Sequence, residues 1–154
     1  ICPVPDRLTK FIATFFYLGF VPCAAGSLAS IIGALLAGLS RGPMWIYLAL
    51  LAAVTALGFV TGGRMERIME EKDPPCVVID EVAGAMIAFF MLPGTPAVLV
   101  TAFFVFRAFD MFKIYPADRL EQRPGGTGVM MDDVVAGIYT NLIMQAAIRL
   151  AGMT

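Results

Sequence analysis

The sequence predicts an all-α protein, an integral membrane bundle of about four to five membrane helices with a short N-terminal helix lying on the surface. Three observations carry that class. Hydrophobic residues make up 59% of the 154 positions and mean hydropathy is +0.82, while charged residues reach only 15%. So few polar groups do not suffice to cover a water-exposed surface. The charge-free runs 11–40 and 44–62 approach or exceed the ~20 residues that span a bilayer. The length suits one domain, taken as residues 1–154.

Residues 1–10 are polar enough for an interface, with Arg7 and Lys10 as anchors. Pro22 lacks a backbone donor and interrupts the run that follows. Phe11–Phe20 is therefore read as a short surface helix and Ser27–Leu39 as the first helix to enter the membrane; one long kinked span over 11–39 is the alternative. After the turn Arg41-Gly42-Pro43, Met44–Gly62 is a span, and the charged stretch 63–75 is expected to stay helical to Lys72, where Asp73-Pro74-Pro75 stops it. Two short spans, 82–92 and 97–109, flank the turn Pro93-Gly94-Thr95-Pro96, and Val134–Leu150 is the last. A 16-residue helix reaches only about 24 Å, so the short spans are expected to project from the hydrocarbon at one end.

With the N-terminus inside, Arg7, Lys10, Arg64, Arg67, Lys72, Arg107, Lys113, Arg119 and Arg123 share the cytoplasmic side, and only Arg41 and Arg149 lie opposite. All twelve acids fall on the cytoplasmic side too. The polar chemistry is thus expected at one membrane face. The chain opens at Ile1 rather than Met and is read as trimmed there, without a signal-peptide cleavage pattern.

Composition also excludes. A net charge of −1 without a basic stripe argues against a nucleic-acid partner. The absence of histidine removes His nucleophiles and most zinc sites. Cys2, Cys23 and Cys76 form no CxxC pair and are read as reduced. Cys76 has Val82, not Arg, six positions on, so a Cys-based phosphate loop is missing. No D-x-D pair follows Asp110, and the pattern of membrane CDP-alcohol phosphotransferases does not occur.

Charge concentrates in Arg107–Gly137. Arg107, Asp110 and Lys113 recur at intervals of three, as on one helix face. A glycine-rich segment, Gly125-Gly126-Thr127-Gly128, is read as a connector, and adjacent Asp132 and Asp133 then open an apolar run. An internal echo links Asp80-Glu81-Val82-Ala83-Gly84 to Asp133-Val134-Val135-Ala136-Gly137. Gly84 and Gly137 each lie one helical turn beyond an aspartate, where a bare backbone admits a close neighbour and brings the acids together. A lone acid at such a place is explained by helix capping. Tandem carboxylates repel one another unless a cation compensates, and four of them without His or Cys suit a hard ion such as Mg²⁺. Arg107 and Lys113 are interfacial anchors on one reading and phosphate partners on the other. Ser27, after Gly26, is expected to cap a helix whose N–H groups seat an anion. Asp118 and Glu121, with Arg119 and Arg123, are read as a solvated face.

Three ordered blocks, VFRAFDMFKIYP (105–116) with GGTGVMMDDVVAG (125–137), VVIDEVAGAMIA (77–88) after Asp73-Pro74, and LGFVPCAAGSLAS (18–30), resemble the phosphatidylglycerophosphatase A family of bacterial lipid phosphatases. The likeness covers about residues 18–145 and departs from the family pattern at Ala25, Ser27, Ala29 and Ile114. Ser27 keeps the hydroxyl of the usual Thr, so Gly26, Ser27 and Ser30 are carried as substrate-side residues. The resemblance implies a Mg²⁺-dependent hydrolase at the cytoplasmic face of the bacterial inner membrane, converting phosphatidylglycerophosphate to phosphatidylglycerol with membrane lipid around it. Asp80, Glu81, Asp132 and Asp133 would hold the metal. Arg107 and Lys113 would neutralise phosphate, Asp110 would orient a base or the water, and Asp73 would stand behind them. A small cation transporter or channel subunit is the rival, but it predicts acids in mid-span and inverted repeats, whereas the echo here runs in one direction. The sequence leaves the oligomeric state open.

Overall fold

The computed structural model describes residues 6–152, so Cys2 and the rest of 1–5 fall outside it. Those residues form α1 (Asp6–Ala13), α2 (Ala25–Ala37), α3 (Met44–Met69), α4 (Ile79–Ala88), α5 (Pro96–Phe112), α6 (Ala117–Leu120) and α7 (Gly126–Leu150), with 3₁₀ turns at Leu18–Phe20 and Gly38–Arg41. No strand occurs among the described residues, as the sequence predicts.

The short helix α4 is the hub. Ile79, Asp80, Val82, Ala83, Gly84, Ala85, Met86 and Ala88 are all buried, enclosed chiefly by α2, α3 and α7. Its small residues permit this: a Cβ on Gly84 would stand 2.7 Å from the Asp133 carbonyl oxygen, and one on Gly137 would collide with the Gly84 carbonyl. The glycine pair that the echo singles out is thus the α4–α7 crossing point. A second close crossing joins α3 to α7, where a Cβ on Gly126 would strike the Phe59 carbonyl.

At ten residues α4 is only about 15 Å long, and it ends in the apolar part of the bundle. Carbonyls released by a helix end in such a setting must find donors. Tyr47 Oη donates to the Met86 carbonyl at 2.6 Å, and Asn141 Nδ2 donates to those of Ala88 (3.1 Å) and Phe90 (2.8 Å). Arg41 Nη2 reaches the Leu92 carbonyl at 2.7 Å. Side chains of α3 and α7, with the Arg41 turn, substitute for water there.

Several expectations are corrected. Only α3 is both long and apolar enough to cross a membrane by itself among the described residues; α2, α4 and α5 have 13, 10 and 17 residues. The predicted 82–92 span begins earlier, at Ile79, and stops at Ala88, because α4 is a core helix. The predicted 44–62 span and the charged stretch beyond it are one continuous helix, which ends at Met69 rather than Lys72 with Glu70 in a left-handed turn. At 26 residues α3 measures about 39 Å, so its charged end projects past a bilayer's hydrocarbon. The helix expected over 11–20 lies instead at Asp6–Ala13, followed by turns. The glycine segment is no connector: Gly126 to Gly128 form the first turn of α7, so Asp132 and Asp133 lie well inside that helix and cap nothing.

The outer surface is strongly apolar. Leu35 is 73% exposed, Trp45 73%, Phe104 66% and Leu142 62%. So much exposed hydrocarbon fits association with a membrane. Cys23 and Cys76 are free thiols.

Candidate active site

The N-terminal ends of α2 and α4, the C-terminal ends of α3 and α5, and the second and third turns of α7 meet at one end of the bundle. Two cations organise it. Arg107 Nη1, on α5, contacts Glu81 Oε2 at 2.7 Å and Asp110 Oδ2 at 2.8 Å. Lys113, the left-handed residue that closes α5, donates to Glu121 Oε1 at 2.6 Å and Asp132 Oδ2 at 3.0 Å and lies 4.0 Å from Asp73. Arg107 and Asp110 share a helix face as predicted, while Lys113 turns away toward α7.

Glu81 rests on bare backbone. A Cβ on Gly26 would collide with its carboxylate, and Ser30 Oγ, which donates to the Gly26 carbonyl at 3.0 Å, also approaches Glu81 Oε2 at 3.4 Å. Burial pushes Glu81 up to about 7, against the lowering effect of Arg107 and with a rise from Asp110. Gly26, Ser27, Glu81 and Arg107 line an open cleft of about 520 Å³, together with the 19–25 loop, Pro75 and Cys76. Ser27 therefore lies at the cleft but caps nothing: α2 begins at Ala25 after an N-cap Ala24 that offers no side chain. The helix starts two residues earlier than predicted, which moves Ser27 into its first turn.

Asp80, Asp132 and Asp133 are 7%, 5% and 2% exposed. Asp80 Oδ1 and Asp133 Oδ1 are buried without a hydrogen-bond partner. A buried carboxylate oxygen left unpaired is costly. Asp73, Glu121 and Asp132 can each bring one oxygen within 4.8 Å of the others, a group that could hold a metal ion. Lys113 already supplies a positive charge to that trio, whereas the orphaned oxygens of Asp80 and Asp133 have none. The donors are all oxygen, which suits a hard divalent cation.

Asp73 and Glu121 join the site more fully than the sequence suggests. Burial pushes Asp73 up to about 6, with Asp132 and Glu121 raising it and Lys113 lowering it. Burial opposes the Lys113 ammonium, but hydrogen bonds to Glu121 and Asp132 hold its pKa above the ordinary value. Glu121 belongs to this network rather than to a solvated face. Glu66 was not anticipated at all. From the end of α3 it accepts the Gly125 N–H at 2.9 Å and the Asp73 N–H at 3.3 Å, tying together the two loops that deliver the acids. In the sequence it is one glutamate among three in a charged stretch, without a distinguishing signal.

No solved structure matches the chain. Three curated relatives do. A Bacteroides thetaiotaomicron protein with the provisional name phosphatidylinositol-3-phosphatase is 36% identical over 93% of this chain and 95% of its own length. Phosphatidylglycerophosphatase A of Haemophilus influenzae is 30% identical, covering 88% of this chain and 85% of that protein. Phosphatidylglycerophosphatase A of Escherichia coli is 31% identical, covering 78% and 70%. The family model for phosphatidylglycerophosphatase A matches residues 11–148 and so takes in every site residue named above. The chain belongs to the phosphatidylglycerophosphatase A family and is a phosphatase.

Proposed function

We propose that the protein, acting as one domain, hydrolyses the terminal phosphomonoester of phosphatidylglycerophosphate to give phosphatidylglycerol and phosphate. The observation that carries this reading is that two orphaned buried carboxylates, Asp80 and Asp133, lie at the same end of the bundle as the Arg107–Glu81 and Lys113–Asp132 ion pairs, the first of which lines an open cleft. Asp80, Asp132 and Asp133 would hold Mg²⁺, with Glu81 completing the set. When bound, the ion supplies Lewis-acid polarisation of the phosphoryl group and lowers the pKa of a water.

The chain's own residues do the rest. Arg107 presents a planar fork whose remaining N–H groups can receive phosphate oxygens, and Glu81 and Asp110 fix its plane. Lys113 offers a point charge to the oxygens on which negative charge grows. Glu81, which lines the cleft, holds Arg107 in place as well as facing the metal set. Ser27 and the backbone at Gly26 line the approach.

The distribution of bases supports a multi-pass arrangement in the bacterial cytoplasmic membrane with this end at the cytoplasmic face. Lipid tails then stay in the bilayer while the headgroup enters. The relative named for phosphatidylinositol 3-phosphate supports a second reading, in which the same chemistry serves a bulkier headgroup. The test is phosphate release from both lipids by detergent-purified protein with Mg²⁺ and with EDTA, alongside folded Asp80→Asn and Asp133→Asn variants. Release that needs Mg²⁺ and disappears in the variants is expected. Variants working at the parent rate would overturn the assignment, and preference for the inositol lipid would move it to the second reading.

A further inference from the structure

A groove of about 300 Å³ opens between α2 and α5, lined by Ile31, Ala34, Leu35 and Phe89 on one side and by Val100 and Phe104 among others on the opposite one. It lies farther along the same two helices that border the polar cleft. On α2, Ser27, Ile31 and Leu35 recur every four residues and so form one stripe. On α5, Arg107, Phe104 and Val100 do the same at intervals of three and four. Each stripe starts at a residue of the charged cleft and ends in the groove. The two helices barely touch, because α2 packs on α4 and α5 chiefly on α7, and Phe89, just beyond α4, closes the floor between them.

Taking the proposed reaction as given, we infer that this groove seats one acyl chain of the lipid whose phosphorylated headgroup lies in the cleft. The dimensions agree. From Ser27 to Leu35 the helix rises about 12 Å, close to the ~15 Å of hydrocarbon in one leaflet. A chain leaving a headgroup beside Arg107 passes Phe104 and Ile31 before it reaches Leu35 and Val100. A second apolar groove, lined mainly by α3 and α7 (Leu48, Leu51, Leu142), lies on helices that contribute no residue to the cleft. It provides an internal control. The chain therefore contributes to substrate selection: a lipid with a full-length acyl chain is held in register, and a soluble phosphomonoester is not.

Phosphatidylglycerophosphate carrying a diazirine midway along one acyl chain, photolysed with the parent protein and mapped by mass spectrometry, tests this directly. Adducts concentrated on residues 31–35 and 99–104, in excess over Leu48 and Leu142, are expected; even labelling of the apolar surface overturns the groove. Kinetics give the second arm. Val100→Phe and Ala34→Phe fill the groove and should raise KM for the long-chain lipid by about tenfold, the effect of leaving about two methylenes unburied. Activity on the dihexanoyl analogue should stay near parent. Equal losses on both lipids would reject a chain-binding role. Concentrated labelling without hydrolysis would sink the proposed reaction but keep the groove, and hydrolysis with even labelling would do the reverse.

Discussion

At Glu81, one carboxylate meets a guanidinium, a serine hydroxyl and a stretch of bare backbone, and each contact limits what can replace its neighbours. Gly26→Ala would drive a methyl into that carboxylate. We expect phosphate release to fall by about 10²-fold, the scale of a small misplacement of a reacting group, with the thermal midpoint little changed. Full activity in a folded Gly26→Ala protein would show that the position of Glu81 is unimportant. Asp133 makes the opposite demand. Its Oδ1 is buried and unpaired, so Asp133→Asn should raise the stability of the metal-free protein by removing a carboxyl that is costly to bury ionised. The same variant should lose activity by about two to three orders of magnitude. Calorimetry beside a phosphate assay separates the two effects, and a variant both less stable and fully active would refute both.

Among the elements, α4 repays attention because it is too short to span and stops inside the apolar layer. Asn141 provides two of the hydrogen bonds that make this tolerable. Asn141→Leu should therefore cost about 1–3 kcal/mol, measured by unfolding in detergent, while the activity of the folded fraction is retained. Gln145, one turn on, approaches the carbonyls of Phe90 and Met91 as well, so two amides of α7 serve this helix end. The α4–α7 crossing is equally sharp. Gly137→Ala pushes against the Gly84 carbonyl and should destabilise by about 1–3 kcal/mol, but here Mg²⁺ affinity should fall with it, since the crossing sets the spacing of Asp80 and Asp133.

For the molecule as a whole, a cluster of acids held beneath an apolar bundle makes stability depend on pH and metal together. Glu81 at about 7 and Asp73 at about 6 lie above their unfolded values, so between roughly pH 4 and 7 the folded state binds more protons than the unfolded one. Metal-free protein should accordingly lose stability as pH rises through that window. Divalent cation binding needs the deprotonated groups, so Mg²⁺ should stabilise strongly at about pH 8 and little at about pH 5, approaching 2.7 kcal/mol at a hundredfold excess over Kd. Melting curves at the two pH values, with Mg²⁺ or EDTA, give the answer. Stability that rises with pH in EDTA would mean that these carboxyls are not held protonated.

Much of this was readable from the chain. The apolar composition determined a membrane-associated helical protein, and the D-x-V-A-G echo located the glycine pair that joins α4 to α7, because a missing Cβ has one mechanical meaning. Arg107, Asp110 and the tandem acids stood out as charges in an uncharged chain. Only the tertiary structure decided how these parts divide. Helix ends depend on partners from distant segments, so the sequence misplaced the starts of α2 and α7 and the end of α3. The separation of Lys113 from Arg107 depends on a left-handed residue at the end of α5, and the entry of Glu66 and Glu121 into the site depends on bringing together loops that are distant in sequence. Residue type and spacing record local preference and the cost of burial; which carboxylate faces which cation is set by the packing around α4.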